Sequence, residues 1–382
     1  MPDRQMSGTH ERALDALLKR GRLRSLEPRR GLDFASNDYL GLAQSDVLRD
    51  AVSAALARGV PVGSGGSRLL RGNHPEHEAL EAEASQFFRA ETALFFGGGF
   101  AANTAIFSTL PARGDLIVYD ELIHASAHDG MRLSKAESTA ARHNDPQSFD
   151  DAIRAWRKAG GTGQPWIAVE SLYSMDGDRA PLDDLMRIAD AHDGVLIIDE
   201  AHATGVFGPD GRGLGAYLEG RSNVVSLHTC GKALGVMGAL VLAPRTTRDF
   251  LVNRARAFIY ATAPSPLVAA TVRAALEILQ HQPERRAQLH QRIAFAGREL
   301  AAKTRHAPSG SHIQPIIVGA DSRAVTLADA LKGRGYDIRA IRPPTVPEGT
   351  ARLRLTMTLN TTEADLTALI AGIADAEAEL AA

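Results

Sequence analysis

Six short apolar runs punctuate the middle of the chain: Ala93 to Phe96, Leu116 to Tyr119, Trp166 to Val169, Val195 to Ile198, Val224 to Leu227 and Ala239 to Leu242. None alternates with polar residues, so each predicts a strand covered on both faces. The stretches between most of them are helix-length and amphipathic. Strands that alternate with helices predict an α/β fold built on a mostly parallel, doubly covered sheet. Only residues 228–238 separate the last two runs. A parallel crossover needs a dozen residues or more, so Ala239 to Leu242 is expected to run antiparallel.

The flanks read differently. Ala13, Leu14, Leu17 and Leu18 recur at helical spacing and predict a short amphipathic N-terminal helix whose apolar stripe needs a cover. A glycine-rich stretch from Val62 to Arg68 predicts a loop, and a helix is expected from Pro75 through Phe87. After Gln282-Pro283-Glu284 breaks a helical stretch, a charged helix runs through Leu300. Strands follow at Ile313 to Val318, Tyr336 to Ile341 and Arg352 to Leu359, with a helix at Val325 to Leu331 between the first two. This pattern predicts a smaller α+β domain. In its last strand Leu353, Leu355 and Met357 alternate with Arg352, Arg354 and Thr356, so both arginines are expected to face away from the strand's core. Thr362 is expected to cap a final helix carrying Leu366, Leu369, Ile370 and Ile373 on one stripe. The division predicted is an N-terminal segment (1–45), a large α/β domain (46–282) and a small C-terminal domain (283–382).

Composition narrows the function. The 382 residues carry a formal net charge of −2 with 44% hydrophobic and 23% charged residues, an ordinary globular balance that argues against nucleic acid or a membrane surface as the main partner. The single cysteine, Cys230, excludes an internal disulfide framework and a thiolate metal cluster and favours a cytoplasmic protein. Met1 to Arg20 has no continuous apolar core, so it reads as neither a secretory signal nor a membrane span. His74 and His77 lack a third ligand in view and read as structural, and no metal site is expected.

Ligands of parallel sheets bind outside the carboxyl ends of the strands. The residues expected on that rim are Gly97-Gly98-Gly99-Phe100, Asp120 to His124, Ser171 to Asp176, Asp199 to His202 and Thr229 to Lys232. Lys232, among small residues after an apolar run, suits a nucleophilic amine. Asp199-Glu200-Ala201-His202 also spells a helicase-type nucleotidase signature. The phosphate loop such an enzyme requires fails twice, with Ser226 at its first glycine and Ala233 after the lysine. The Gly97 to Phe100 turn is no dinucleotide fingerprint, but a helix starting near Ala101 would offer free N–H groups to one phosphate. A Schiff-base lysine, a carboxylate for a ring nitrogen, a helix N-terminus for phosphate and histidines for the ring are together what pyridoxal 5'-phosphate (PLP) requires. Asp199 would pair with the pyridinium and His202 with the phenolic oxygen.

The ordered set Ser36 to Leu42, Gly99-Phe100-Ala101-Ala102-Asn103, His124-Ala125-Ser126, Ser174 to Asp178, Asp199 to Gly205, and Thr229 with Lys232 resembles the α-oxoamine synthases. These are fold type I, aspartate-aminotransferase-like PLP enzymes that join an amino acid to an acyl thioester with loss of carbon dioxide. The resemblance runs from about Leu14 to the last helix. It implies a cytoplasmic homodimeric acyltransferase in which Lys232 carries the cofactor, His124 stacks on its ring, and Asp199 and His202 pair with nitrogen and oxygen. Ser174, Thr229 and the Gly99-Phe100 turn would hold phosphate and remaining polar groups. Arg354 would bind the amino acid carboxylate with Asn37 and Thr345 nearby. Arg24 would be the N-terminal substrate contact, with Arg22 as the alternative because the chain is short between its arginines and Ser36. Arg342 to Pro347 and Gly349 to Leu355 look most like the biotin-pathway branch, which implies L-alanine and a pimeloyl thioester, on coenzyme A or a carrier protein, as substrates. The alternatives are the glycine-using branches that make 2-amino-3-oxobutyrate or aminolevulinate, serine palmitoyltransferase, and a non-catalytic module that keeps the cofactor fold.

Overall fold

The computed structural model describes residues 7–380. They fall into two compact units, each treated by itself. One comprises Asn37–Ser174 with Asp178–Leu289; the other comprises the described part of Met1–Ser36, Met175–Gly177, and the described part of His290–Ala382. The described strands are β1 (Leu32–Asp33), β2 (Thr92–Phe96), β3 (Leu116–Asp120), β4 (Glu137–Ala141), β5 (Pro165–Glu170), β6 (Val195–Asp199), β7 (Val224–Thr229), β8 (Ala239–Ala243), β9 (Ile313–Gly319), β10 (Tyr336–Asp337), β11 (Ala340–Ile341) and β12 (Ala351–Thr356).

The larger unit is a seven-stranded sheet in the order β2-β8-β7-β6-β5-β3-β4. All pairs are parallel except those of β8, which is antiparallel to both β2 and β7. The alternation of side chains along each strand explains why the apolar runs are continuous. Val195 and Ile197 of β6, with Trp166 and Ala168 of β5, enter one core with Ala102, Ile106 and Phe107 of the helix Gly99–Thr109. Leu196 and Ile198, with Ile167 and Val169, enter a second core on the opposite face with Phe149 and Ile153 of the helix Pro146–Lys158 and Leu185 of the helix Leu182–Ala191. A strand buried on both faces has no polar position to spare. β4 is the strand the apolar pattern does not predict. It lies at the sheet edge with only Ala141 buried, so Glu-Ser-Thr-Ala-Ala carries no hydrophobic run.

The helix Pro75–Phe88 gives both nearby histidines a structural task. His74 is its N-cap, accepting through Nδ1 from Glu76 N at 3.1 Å, while His77 Nδ1 accepts from His74 N at 3.2 Å. That fixes the proton of His77 on Nε2, which donates to the Pro264 carbonyl at 2.7 Å.

In the smaller unit β12 lies between β9 and β11, antiparallel to both, and β1 pairs in parallel with β10. Two expectations need correction here. Tyr336 to Ile341 is not one strand but two short ones in different sheets, parted where Ile338 is fully buried and Arg339 pairs with Asp337 and Glu27. The arginines of β12 do sit opposite Leu353 and Leu355, yet all six residues of the strand are buried. Arg352 pairs with Asp176 and donates through Nε to the Thr350 carbonyl at 3.0 Å, and Arg354 Nη1 donates to Thr356 Oγ1 at 2.8 Å. The partners of Arg352 offset the cost of burying its charge. The N-terminal helix forms over Ser7–Lys19 with Leu14 and Leu18 half-exposed. The last helix, Glu363–Glu379, is capped as expected by Thr362, with Asp365 completing the capping box. No described helix is long and apolar enough to cross a membrane.

Phe149 is 1% exposed in the second core of the large sheet. F149A should lower stability by about 3–5 kcal/mol in equilibrium denaturation, the usual cost of emptying a buried aromatic site.

Candidate active site

The strand ends meet at one cavity of about 380 Å³, within the roughly 300–1,000 Å³ typical of small-ligand sites. Its wall includes Asn37, Gly97 to Phe100, Asn103, His124, Ser126, Glu170, Asp199, Ala201, His202, Thr229, Gly231, Lys232, Met237 and Gly238. All belong to the larger unit. Of the expected residues on this unit, Gly99, Phe100, His124, Asp199, His202, Thr229, Lys232 and Asn37 are thus brought together. Ser174 is not part of this wall; it is buried, and its backbone N–H donates to Glu170 Oε2 at 3.1 Å.

Asp199 ends β6 at 7% exposure, so its carboxylate needs donors. Asn103 Nδ2 donates to Oδ2 at 2.8 Å and Ala201 N donates to Oδ1 at 2.9 Å. The second hydrogen of Asn103 Nδ2 goes to Ser126 Oγ at 3.0 Å, and Ser126 Oγ lies 2.7 Å from His124 Nδ1. Since Ser126 N also donates to His124 Nδ1, that nitrogen is the acceptor and the imidazole keeps its proton on Nε2. Desolvation lowers the His124 pKa, Lys232 lowers it further and Asp199 opposes, which favours the neutral ring. His202 is buried with Nδ1 at 2.6 Å from Tyr39 Oη, and Tyr39 Oη also donates to Asn37 Oδ1 at 3.2 Å.

Lys232 lies in the connection between β7 and β8. Cys230 N donates to the Gly238 carbonyl at 2.9 Å, Val236 N to the Cys230 carbonyl at 2.9 Å, and Gly235 N to the Lys232 carbonyl at 2.9 Å, so the loop folds back on itself. Cys230 is fully buried, and burial pushes its thiol pKa up. The helix that the sequence places near Ala101 begins two residues earlier, at Gly99, with Gly98 as its N-cap. A Cβ on Gly99 would stand 2.6 Å from Thr229 Cγ2, so glycine is what lets this helix end approach β7. The free N–H groups of the first turn favour an anion there.

Asn103, Ser126, Tyr39 and Glu170 are site residues to which sequence reasoning assigned no role. A further cluster supports the rim. Asp120, fully buried at the end of β3, accepts from Leu122 N and Asn144 N at 2.9 Å each and faces His143 Nδ1 at 2.9 Å. His143 Nε2 reaches Asp178 Oδ2 at 2.7 Å. Burial alone would lower the His143 pKa, but the hydrogen bonds and charges of Asp120 and Asp178 outweigh it and raise the value to about 10. The imidazolium therefore ties together the loops after β3, β4 and β5.

The substrate candidates Arg24, Thr345 and Arg354 belong to the smaller unit. Arg24 Nη2 donates to Thr345 Oγ1 at 3.4 Å. Arg22 is engaged with two carboxylates, Asp321 at 2.7 Å and Glu348 at 2.6 Å.

Residues 29–373 match the profile of the class I and II aminotransferases. The 8-amino-7-oxononanoate synthase of Chromobacterium violaceum is 41% identical over 90% of this chain and 89% of its own, and that of Anaeromyxobacter dehalogenans is 40% identical over 94% and 93%. The chain belongs to the 8-amino-7-oxononanoate synthase family. A solved family member from Francisella tularensis superposes with a TM-score of 0.78 at 29% identity, covering 92% of this chain and 99% of that one. A serine palmitoyltransferase from S. paucimobilis shares the fold, with a TM-score of 0.88 at 24% identity over 99% and 100% of the two chains. The architecture is PLP fold type I, and the family's cofactor suits this wall. An amine, a buried carboxylate that accepts from Asn103 and Ala201, and a helix N-terminus converge. Two buried atoms, Asn103 Oδ1 and Glu170 Oε1, make no hydrogen bond among the described residues.

The His143 clamp predicts a pH dependence. Its folded-state pKa of about 10 exceeds the ordinary 6.5, so its contribution to stability is complete below pH 6.5, declines as pH rises and is gone above about 10. Melting temperatures of the wild type and H143N should therefore differ most in acid and draw together across that window; a gap that widens with pH would contradict the assignment.

Proposed function

We propose that the chain catalyses the PLP-dependent condensation of L-alanine with a pimeloyl thioester, the acyl carrier being coenzyme A or an acyl carrier protein. The products are 8-amino-7-oxononanoate, carbon dioxide and the free thiol. A bond forms between the alanine α-carbon and the acyl carbon, the thioester bond breaks, and the carboxylate leaves as carbon dioxide. The observation that carries this reading is the convergence of Lys232, Asp199, His202, His124 and the Gly99 helix end on one cavity in a chain of this family.

Lys232 would anchor the cofactor through Nζ, Asp199 would face its ring nitrogen, His202 its phenolic oxygen and His124 its ring face. Gly99, Phe100, Thr229 and Ser174 would serve its phosphate and remaining polar groups. When bound, the protonated ring supplies an electron sink at the amino acid's α-carbon. Asp199, shielded from water, would hold the proton on the ring nitrogen. Lys232 Nζ, as the free amine, would take the α-proton and return one after decarboxylation. His124, neutral with its Nδ1 fixed by Ser126, presents an uncharged face and avoids competing with the ring for Asp199. Arg354 would hold the alanine carboxylate, aided by Asn37 and Thr345. Arg24 is favoured over Arg22 as the N-terminal substrate contact, because Arg22 already satisfies Asp321 and Glu348.

A cytoplasmic homodimer fits this reading. The larger unit exposes Phe100, Leu133, Met237, Phe250 and Tyr260, apolar side chains that a second copy would cover. Light scattering should give twice the monomer mass.

K232A should lose the borohydride-fixed PLP adduct and lower turnover by roughly 100- to 10,000-fold or more, the range a positioned acid–base group contributes. Turnover close to wild type would remove Lys232 from the chemistry. In assays pairing alanine, glycine or serine with pimeloyl, acetyl, succinyl or palmitoyl thioesters, alanine with the pimeloyl thioester should react fastest. Preference for glycine with a short acyl group would overturn the substrate assignment.

A further inference from the structure

Glu170 takes no part in the chemistry described, yet it lies in the wall of the same cavity. It ends β5 directly beside Asp199 of β6 in the parallel register and is 2% exposed. Oε2 accepts from Ser174 N at 3.1 Å. Oε1 is buried and makes no hydrogen bond among the described residues. Two carboxylates at adjacent strand ends, shielded from water, cannot both ionise without a large cost, so one of them gives up its charge. Asp199 has a donor on each oxygen. Glu170 has a single backbone donor, so the negative charge belongs on Asp199.

The other charged groups around Glu170 agree. Burial, then the charge of Asp199 and more weakly that of Asp120, pushes its pKa up to about 8, with Lys232 and the Ser174 N–H opposing. A carboxylic acid has one O–H to donate. With Oε2 accepting from Ser174, that proton belongs on Oε1, the atom left without a partner.

We propose that Glu170 is a positioning residue of the cofactor site, a neutral carboxylic acid that donates from Oε1 into the cavity and leaves Asp199 as the anionic member of the pair, available to the cofactor's ring nitrogen. This rests on the reading that the cavity holds PLP. One buried anion then meets one ring cation, whereas a second anion would remain unpaired at high cost.

The test compares holoenzymes of wild type, E170Q and E170L. Infrared spectra at neutral pH should show a protonated carboxylic acid carbonyl band in the wild type that E170Q lacks. E170Q, neutral and still a donor, should keep PLP affinity within about twofold and should keep the pH at which the visible absorption of bound PLP changes. E170L should bind PLP about tenfold more weakly, as loss of one buried hydrogen bond implies, and displace that pH. Unchanged PLP binding and spectra in E170L would overturn the proposal. So would an E170Q profile displaced from that of the wild type, or the absence of the carbonyl band, and both of these readings stand even if E170L does not fold. A wild-type chain that takes up no PLP is a different failure: it overturns the functional reading itself.

Discussion

A carboxylate that ends a central strand with almost no contact with water constrains everything around it. Leaving Asp199 without donors would cost several kcal/mol. The donor that meets it from a side chain, Asn103, sits one turn into the helix Gly99–Thr109, so that helix must pack against the ends of β6 and β7. It can approach only because position 99 has no side chain to strike Thr229. The same requirement carries the helix's free N–H groups to the cavity. The remaining hydrogen of Asn103 then orients Ser126, which fixes the tautomer of His124. Satisfying one anion thus also positions an anion-binding helix end and a neutral imidazole.

The place of Lys232 depends on strand direction. β7 ends at Thr229 and β8 starts back at Ala239, paired antiparallel from Thr229 with Ala239 to Ser226 with Leu242. A loop this short holds its lysine at the rim, closed by the bonds among Cys230, Val236 and Gly238. A parallel successor to β7 would have needed a helical crossover leading away from that rim. The single reversal in the sheet therefore belongs to the site as much as to the fold.

This division explains what the chain discloses locally. Runs such as Val195 to Ile198 announce buried strands because burial on both faces leaves no polar position, and the short interval before Ala239 announces the reversal. The strand ends therefore give Asp199, His202, Thr229 and Lys232 a common rim. β4 has no such signal, since an edge strand of Glu-Ser-Thr-Ala-Ala is stabilised by pairing with β3 and buries only Ala141. Nor do Asn103 and Ser126, single polar residues whose task is set by a neighbour distant in sequence. Glu170 is hidden differently: as the first polar residue after Trp166 to Val169, it reads as the end of a strand. Alternation in β12 correctly set Arg352 and Arg354 opposite Leu353 and Leu355. It could not reveal that the arginine face is also covered, with Asp176 answering Arg352.

Three acidic residues end three strands adjacent in the sheet, β3, β5 and β6. Their charges would repel if all were left bare, and each is treated differently. Asp120 is neutralised by an imidazolium that burial alone would discharge; its pair of carboxylates keeps His143 charged, and the Asp120 pKa is lowered in return despite the cost of burial. Asp199 is solvated by neutral donors, which stabilise the anion without cancelling its charge, so its field remains available to a cation in the cavity. Glu170, with one backbone donor and Asp199 as its neighbour, is driven toward the neutral acid. The function therefore depends less on the number of acidic residues at the rim than on the partner the fold sets against each of them.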